Sequence, residues 1–144
     1  MTNAPVRCAR FVSRKQWIVV GSDDNKLRVY NYNTAEKIKT IEDHVDYIRD
    51  IAISPIAPYI VSCSDDDSIK VFDWEKGWQR INQFVDHEHY IMKLAINPKD
   101  PHMLASVALD KRIKIWTIGT QKNTANYTLV GHEAGVNSVD FSRD

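Results

Sequence analysis

Glycine is scarce in this sequence, with five residues among 144. A loop that cradles phosphate needs several glycines so that backbone can approach the ligand closely. No G-x-x-x-x-G-K-[ST] run is present, and little material remains for any other glycine-rich cofactor loop. An excess of one charge is missing as well. Lys+Arg and Asp+Glu both number 19, so the formal net charge is zero. Sequence-independent nucleic-acid binding runs on phosphate neutralisation by surplus cations. No nucleic-acid partner is expected, and charge-based recognition must be local. Cysteine is almost absent: Cys8 and Cys63 stand alone without C-x-x-C spacing, which reads as reduced thiols of an intracellular protein. No apolar run approaches the ~20 residues of a membrane helix, so direct membrane insertion is not expected. The N-terminus lacks the charged-then-apolar pattern of a signal peptide. Without one, the sequon Asn126-Tyr127-Thr128 reads as coincidence. No G-x-S-x-G elbow is found, and an enzyme is not expected.

What is present suffices for a core. Hydrophobic residues make up 43% and charged residues 26%, and the length suits one ordinary domain. Three segments repeat: "WIVVGSDDNKLRVYNYN", "YIVSCSDDDSIKVFDWE" and "MLASVALDKRIKIWTIG". The second Asp of each turn is Asp24, Asp66 and Asp110, spaced 42 and 44 residues apart. An aromatic follows six positions later in each, at Tyr30, Phe72 and Trp116. Upstream histidines recur at His44, His87 and His132. Apolar-alternating runs open the units at 6–11, 48–53, 91–96 and 136–141. β-Branched and aromatic residues dominate, and no segment sustains a 3.6-residue period. Each unit therefore reads as four short strands.

A period in the low forties, a His at the junction and an aromatic after an Asp turn resemble the WD-repeat β-propeller family. "VGH", "DH" and "IW" are degenerate forms of its Gly-His and Trp-Asp marks. The expected fold is all-β: a partial propeller over 1–144, with blade units at 4–43, 44–86 and 87–131 and a further blade starting at 132–144. The resemblance implies a buried relay within each blade. The third unit carries it best, as His87, Ser106, Asp110 and Trp116. The second has His44, Ser62 and Asp66, with Phe72 unable to donate. Val20 replaces the Ser in the first. An unpaired buried Asp costs on the order of several kcal/mol, so Asp66 reads as structural. Asp67 reads as a solvated turn charge. Three blades fall short of the 4–8 in closed rings, and end blades would expose apolar faces that invite self-association.

One aspartate of the "DDD" turn remains. The slot before the relay Asp holds Asp23, Asp65 and Leu109. A first-strand slot holds Arg7, Arg49, Met92 and Asn137, and three residues earlier stand Ala4, Asp46, His89 and Ala134. The relay prescribes none of these. They could form an incidental surface ion-pair network, worth about 0–1 kcal/mol per pair. Alternatively, with Tyr47, they form a groove for an extended peptide of mixed charge, Arg facing a carboxylate and Asp an ammonium.

Three further stretches, "PVRCARFVSRKQWIVVGSDDNKLRVYNYNT", "HVDYIRDIAISP" and "INPKDP", are similar to the N-terminal propeller of the beta-prime subunits of coatomer, the Golgi vesicle coat. That resemblance implies a cytoplasmic, non-enzymatic coat protein of Golgi–endoplasmic reticulum transport. It would bind cargo tails ending in dilysine signals alongside other coatomer subunits. Arg7 falls on the carboxylate side and Asp46 and Asp65 on the lysine side, with Arg49, Tyr47 and Asp23 as neighbours. That family carries a blade before the unit at Val6, and this sequence does not show it. The competing expectation is a generic WD-repeat scaffold in another complex. The cluster "DHEHY" at 86–90 suggests zinc at first sight. His87 is already assigned to the relay and Glu88 points away, so no metal or cofactor is expected.

Overall fold

The computed structural model describes residues 4–120 and 124–130. These residues form three four-stranded antiparallel sheets, the blades of a partial β-propeller. Blade 1 consists of β1 (Val6–Val12), β2 (Trp17–Ser22), β3 (Leu27–Asn31) and β4 (Lys37–Ile41). Blade 2 has β5 (Ile48–Ile53), β6 (Tyr59–Ser64), β7 (Ile69–Asp73) and β8 (Gln79–Phe84). Blade 3 has β9 (Ile91–Ile96), β10 (Met103–Ala108), β11 (Arg112–Thr117) and β12 (Tyr127–Val130). Strands follow chain order within every blade. The expected first strand of a further unit, with His132, Ala134 and Asn137, lies outside the described residues.

Alternation decides which core each side chain enters, because successive residues of a strand point to opposite faces. Blade 2 is covered on both faces, and β7 is buried along its whole length. Ile60 and Phe72 turn toward blade 1 and join Val19, Leu27, Ile48 and Ile51. Val61, Cys63, Ile69 and Val71 turn toward blade 3 and join Phe84, Leu104 and Trp116. Phe84 stacks on Trp116, with ring centroids 4.7 Å apart. Fully burying one such aliphatic or aromatic side chain contributes about 1.5–3 kcal/mol.

The inner hairpins share one turn. Asn25, Asp67 and Lys111 hold φ of 71°, 68° and 70°, the left-handed region. Asn and Asp tolerate that region because a short polar side chain bonds locally. Asp67 is thus selected by backbone geometry. Blades are stapled by polar groups as well as by apolar ones. Asp50 is fully buried in β5; its Oδ1 accepts from Arg10 of β1 and its Oδ2 from the Leu94 amide of β9, both at 2.9 Å. One carboxylate thereby ties three sheets together. The outer face of blade 1 is open, with a groove of about 420 Å³ lined by Val6, Ile18, Val20, Tyr30 and Tyr32.

Candidate functional site: the channel-side face

Among the described residues, two blades carry a buried Ser–His–Asp hydrogen-bond chain, and blade 3 adds an indole donor to it. In blade 3 the Trp116 indole N–H donates to Ser106 Oγ at 2.8 Å, and Ser106 lies 2.6 Å from His87 Nε2. His87 Nδ1 lies 2.8 Å from Asp110 Oδ2, which also accepts the Glu88 amide. The ordering that satisfies every partner is neutral His87 with its proton on Nδ1, accepting from Ser106 at Nε2. Burial lowers the His87 pKa and favours that neutral form. Desolvation pulls Asp110 upward, but the Glu88 amide and His87 outweigh it and hold the carboxyl below its usual range.

Blade 2 repeats the chain without the indole. Ser62 lies 2.7 Å from His44 Nε2, and His44 Nδ1 lies 2.9 Å from Asp66 Oδ2. Asp66 also takes the amides of Val45 and Ser68 and the Ser68 hydroxyl. Burial opposes ionisation there too, and these donors together overcome it, so Asp66 titrates well below an ordinary carboxyl. In blade 1, Asp24 is gripped by Arg28 at 2.6 and 3.2 Å and by Ser22 at 2.5 Å. An ion pair there stands where the other blades have a histidine.

The face beside the channel follows a second pattern. The amides of Asp23, Asp65 and Leu109 donate to the carbonyls of Pro5, Tyr47 and Tyr90, one bond per blade, which makes the three positions equivalent. In blade 1, Arg7 forks onto both oxygens of Asp23 and lies over the Tyr47 ring of blade 2, 5.0 Å from its centroid. In blade 2, Arg49 forks onto both oxygens of Asp65 at 2.7 and 2.9 Å and lies over Tyr90 of blade 3 at 5.7 Å. Each guanidinium thus joins one blade to the next through an aromatic face, a cation–π contact. Blade 3 substitutes the apolar pair Met92 and Leu109.

Asp65 keeps only 6% of its side chain exposed, beneath Arg49. Asp46 is more available. Its Oδ1 accepts the Tyr47 amide at 2.8 Å, and its backbone carbonyl accepts the Ser64 hydroxyl. Its Oδ2 has no protein partner among the described residues. A cavity of about 450 Å³ opens between the three blades, lined by Pro5, Val6, Arg7, Asp23, Arg49, Met92 and Lys93. Arg7, Asp23 and Arg49 therefore share one cavity, while Asp46, Asp65 and Tyr47 stand outside its wall. Lys93 is the residue that sequence reasoning missed. It follows Met92 as Cys8 follows Arg7 and Asp50 follows Arg49, and that slot was the available signal. His89 lies against Tyr90, 5.0 Å between ring centroids, and its Nδ1 accepts the Tyr90 amide. Among the described residues no group of three or more His, Cys, Asp or Glu is arranged to hold a metal.

The fold and its repeats have known counterparts. A family model described as WD domain, G-beta repeat matches residues 2–31, 35–73, 78–117 and 123–144. The chain is 48% identical over 141 residues to the putative coatomer subunit beta'-3 of Oryza sativa subsp. japonica, covering 98% of this chain and 15% of that protein. It is 50% identical over 137 residues to coatomer subunit beta' of Homo sapiens, covering 95% of this chain and 15% of that one. Coatomer subunit beta' of Drosophila melanogaster is likewise 50% identical, over 139 residues, 96% of this chain and 15% of that protein. The chain spans about 15% of the length of these curated relatives. Matched along nearly its whole length, and with the blade geometry to go with it, the chain belongs to the WD domain, G-beta repeat family.

Proposed function

We propose that this chain is part of a coatomer-type coat subunit, a non-enzymatic scaffold whose channel-side face holds cargo tails with lysines shortly before a free C-terminal carboxylate. The similarity to coatomer beta' subunits supports the coarse reading. The observation that carries the finer one is the division of charge on this face. Arg7 and Arg49 line the cavity, while Asp46, outside its wall, leaves one carboxylate oxygen without a protein partner among the described residues. An extended tail would set its carboxylate in the cavity and a lysine ammonium on Asp46. Asp65 and Asp23 act behind it, holding Arg49 and Arg7 in place and adding negative field at the rim. On this reading the chain works on the cytosolic side of Golgi membranes, held there by cargo and other coat subunits. No helix among the described residues is long and apolar enough to cross a membrane.

Fluorescence anisotropy of a labelled peptide ending Lys-Lys-x-x tests this. Saturable binding should fall about tenfold with C-terminal amidation and by a similar factor in Asp46→Ala, as expected for loss of one charge-assisted contact. Binding indifferent to both changes would instead indicate a generic WD-repeat docking surface. The open apolar groove on blade 1 also supports self-association of two copies. A monomeric mass by light scattering at high protein concentration would rule that out.

A further inference from the structure

Three of the four tryptophans meet at the end of the blades opposite the channel-side face. Trp17 opens β2 of blade 1, while Trp74 and Trp78 sit on the connection between β7 and β8 of blade 2. Trp17 meets Trp74 edge-on at 5.6 Å between ring centroids, and Trp78 at 5.3 Å with the planes tilted by 33°. A plain staple between two blades would be built from aliphatic side chains, which carry no polar atom. Here the Trp74 indole N–H is buried with no acceptor, a costly state for a donor. Trp17 and Trp78 are partly buried beside it, and neither indole N–H donates to protein among the described residues. The backbone is strained as well. Trp78 holds φ of 64° after Gly77 at 67°, and Gln16, directly before Trp17, holds φ of 58°. A left-handed backbone is an outlier for a bulky residue, and such strain collects at ligand clamps that the surrounding fold holds in place. Arg14 does that holding. It lies over Trp74, 5.0 Å from the ring centroid, and donates to the carbonyls of Ser54 and Ala57 at 2.9 and 2.7 Å.

We propose that Trp17 and Trp78 form a docking platform for a proline-rich segment carrying an acidic residue. Every polar group that the two indoles, Arg14 and Lys15 present is a donor. The matching ligand is therefore rich in acceptors and poor in donors. A polyproline II segment has both properties: its backbone makes no internal hydrogen bonds, so its carbonyls stay free, and proline brings no N–H. Its rings pack flat on an indole, and its conformation is set before binding, which lowers the entropy lost. Lys15 lies 5.7 Å from the Trp17 ring centroid and forms no ion pair among the described residues. It is the cation left for an acidic neighbour of the prolines. A sugar ring would also stack on indole, but it brings hydroxyl donors that these four side chains cannot accept. The platform is independent of the peptide-binding reading above, because it lies at the other end of the strands.

The probe is acetyl-Glu-Glu-hexaproline amide, titrated into the 144-residue chain and followed by the indole N–H signals in nitrogen-edited NMR spectra. Acetyl-hexaproline amide tests the charge, acetyl-Glu-Glu-hexaglycine amide tests the prolines, and maltohexaose tests a sugar. Saturable shifts of the Trp17 and Trp78 indole signals are expected with both proline probes. Binding should be about threefold tighter when the glutamates are present, as for an exposed ion pair. Lys15→Gln should abolish that gain and leave the hexaproline affinity unchanged. Trp78→Leu should weaken both proline probes about tenfold, with thermal midpoints reporting folding. Trp78→Phe keeps a ring and loses the N–H, and should fall between. Should Trp78→Leu fail to fold, Trp78→Phe and the indole shifts of the parent chain carry the test. A labelled peptide ending Lys-Lys-x-x should bind every variant as it binds the parent chain, so failure of the platform and failure of the channel-side reading are seen separately. Equal shifts with hexaglycine or maltohexaose would overturn the proline assignment, and affinity unmoved in the Trp78 variants would overturn the site. No saturable shift of either indole would overturn the proposal outright.

Discussion

Arg49 grips both carboxylate oxygens of Asp65, at 2.7 and 2.9 Å, while its guanidinium lies over the Tyr90 ring of the next blade. The pair is mostly buried, with 24% of the Arg49 and 6% of the Asp65 side chain exposed. Removing the arginine would leave a carboxylate beneath the surface without its counter-charge. Arg49→Met should therefore lower unfolding stability by about 2–3 kcal/mol, read as the urea midpoint at constant m-value. The double variant Arg49→Met/Asp65→Leu should recover most of that loss, since an apolar pair already serves in blade 3 as Met92 and Leu109. A single-variant loss below ~0.5 kcal/mol would reduce the contact to an ordinary surface ion pair.

The relays make the fold sensitive to acid, in a direction fixed by their shifts. His87 has its pKa lowered below 6.5 by burial, so the folded chain prefers it neutral. Its contribution is complete above about pH 6.5 and is lost as pH falls below that, because the unfolded chain then binds a proton that the folded one resists. Asp110 and Asp66 are held below the ordinary 3.8. Their contributions persist above that value and disappear as pH falls further, through their depressed folded pKa values. Urea midpoints should thus be flat from pH 8 to 7, decline as pH falls below about 6.5, and fall again below about 3.8. Each proton taken up adds a slope of up to ~1.4 kcal/mol per pH unit. A midpoint that rises between pH 7 and 5.5 would contradict the neutral assignment of His87.

Both thiols are shielded. Burial, reinforced by the Asp50 charge, pushes Cys8 up to about 11, and Cys63 is pushed well up for the same reasons. At pH 8 the Cys8 thiolate fraction should be roughly a hundredfold below that of an ordinary protein thiol, and thiolate is the reactive form. Reaction with a disulfide reagent should accordingly be slow in the native chain and immediate for two thiols in 6 M guanidinium. Rapid native labelling of Cys8 alone would show that blade 1 opens locally.

Strands and turns were legible in the sequence because both rest on local rules. The openings expected at 48–53 and 91–96 agree with β5 and β9 to the residue, and β1 runs one residue past its expected end to bury Val12. The repeat also exposed the slots of Arg7, Arg49 and Met92. It could not say what each slot touches. Arg7 meets Asp23 within its own blade but Tyr47 in the next, and only the angle between sheets decides that. Lys93 escaped notice for a related reason. In the run "IMKLAI" it looks like any polar residue alternating on a strand, and its place on the cavity wall becomes visible only when three blades converge. Nothing in the repeat marks Asp50, yet it is the buried staple between β1 and β9.

The tight packing around Gly21, where blade 1 meets Ile48 of blade 2, supplies the last prediction. Gly21 lies where a Cβ would come within 2.6 Å of Ile48 Cγ2 and 2.8 Å of Cys8 Sγ. Neither is the far end of a flexible chain: Ile48 is fully buried and Cys8 nearly so. The equivalent positions in the other blades hold Cys63 and Val107, so the slot accepts a side chain elsewhere. In blade 1 the space is filled from the neighbouring strand by Cys8 instead. Gly21→Ala would ordinarily stabilise a strand by reducing the freedom of the unfolded chain, by about 0.4–1 kcal/mol. Here overpacking should dominate and destabilise by about 1–3 kcal/mol, measured by urea unfolding. Cys8→Ala added to Gly21→Ala removes the sulfur contact but not the one to Ile48, so stability should return only in part. Full recovery in the double variant would assign the whole constraint to the thiol, and a stabilising Gly21→Ala would mean that the two blades sit farther apart than these distances state.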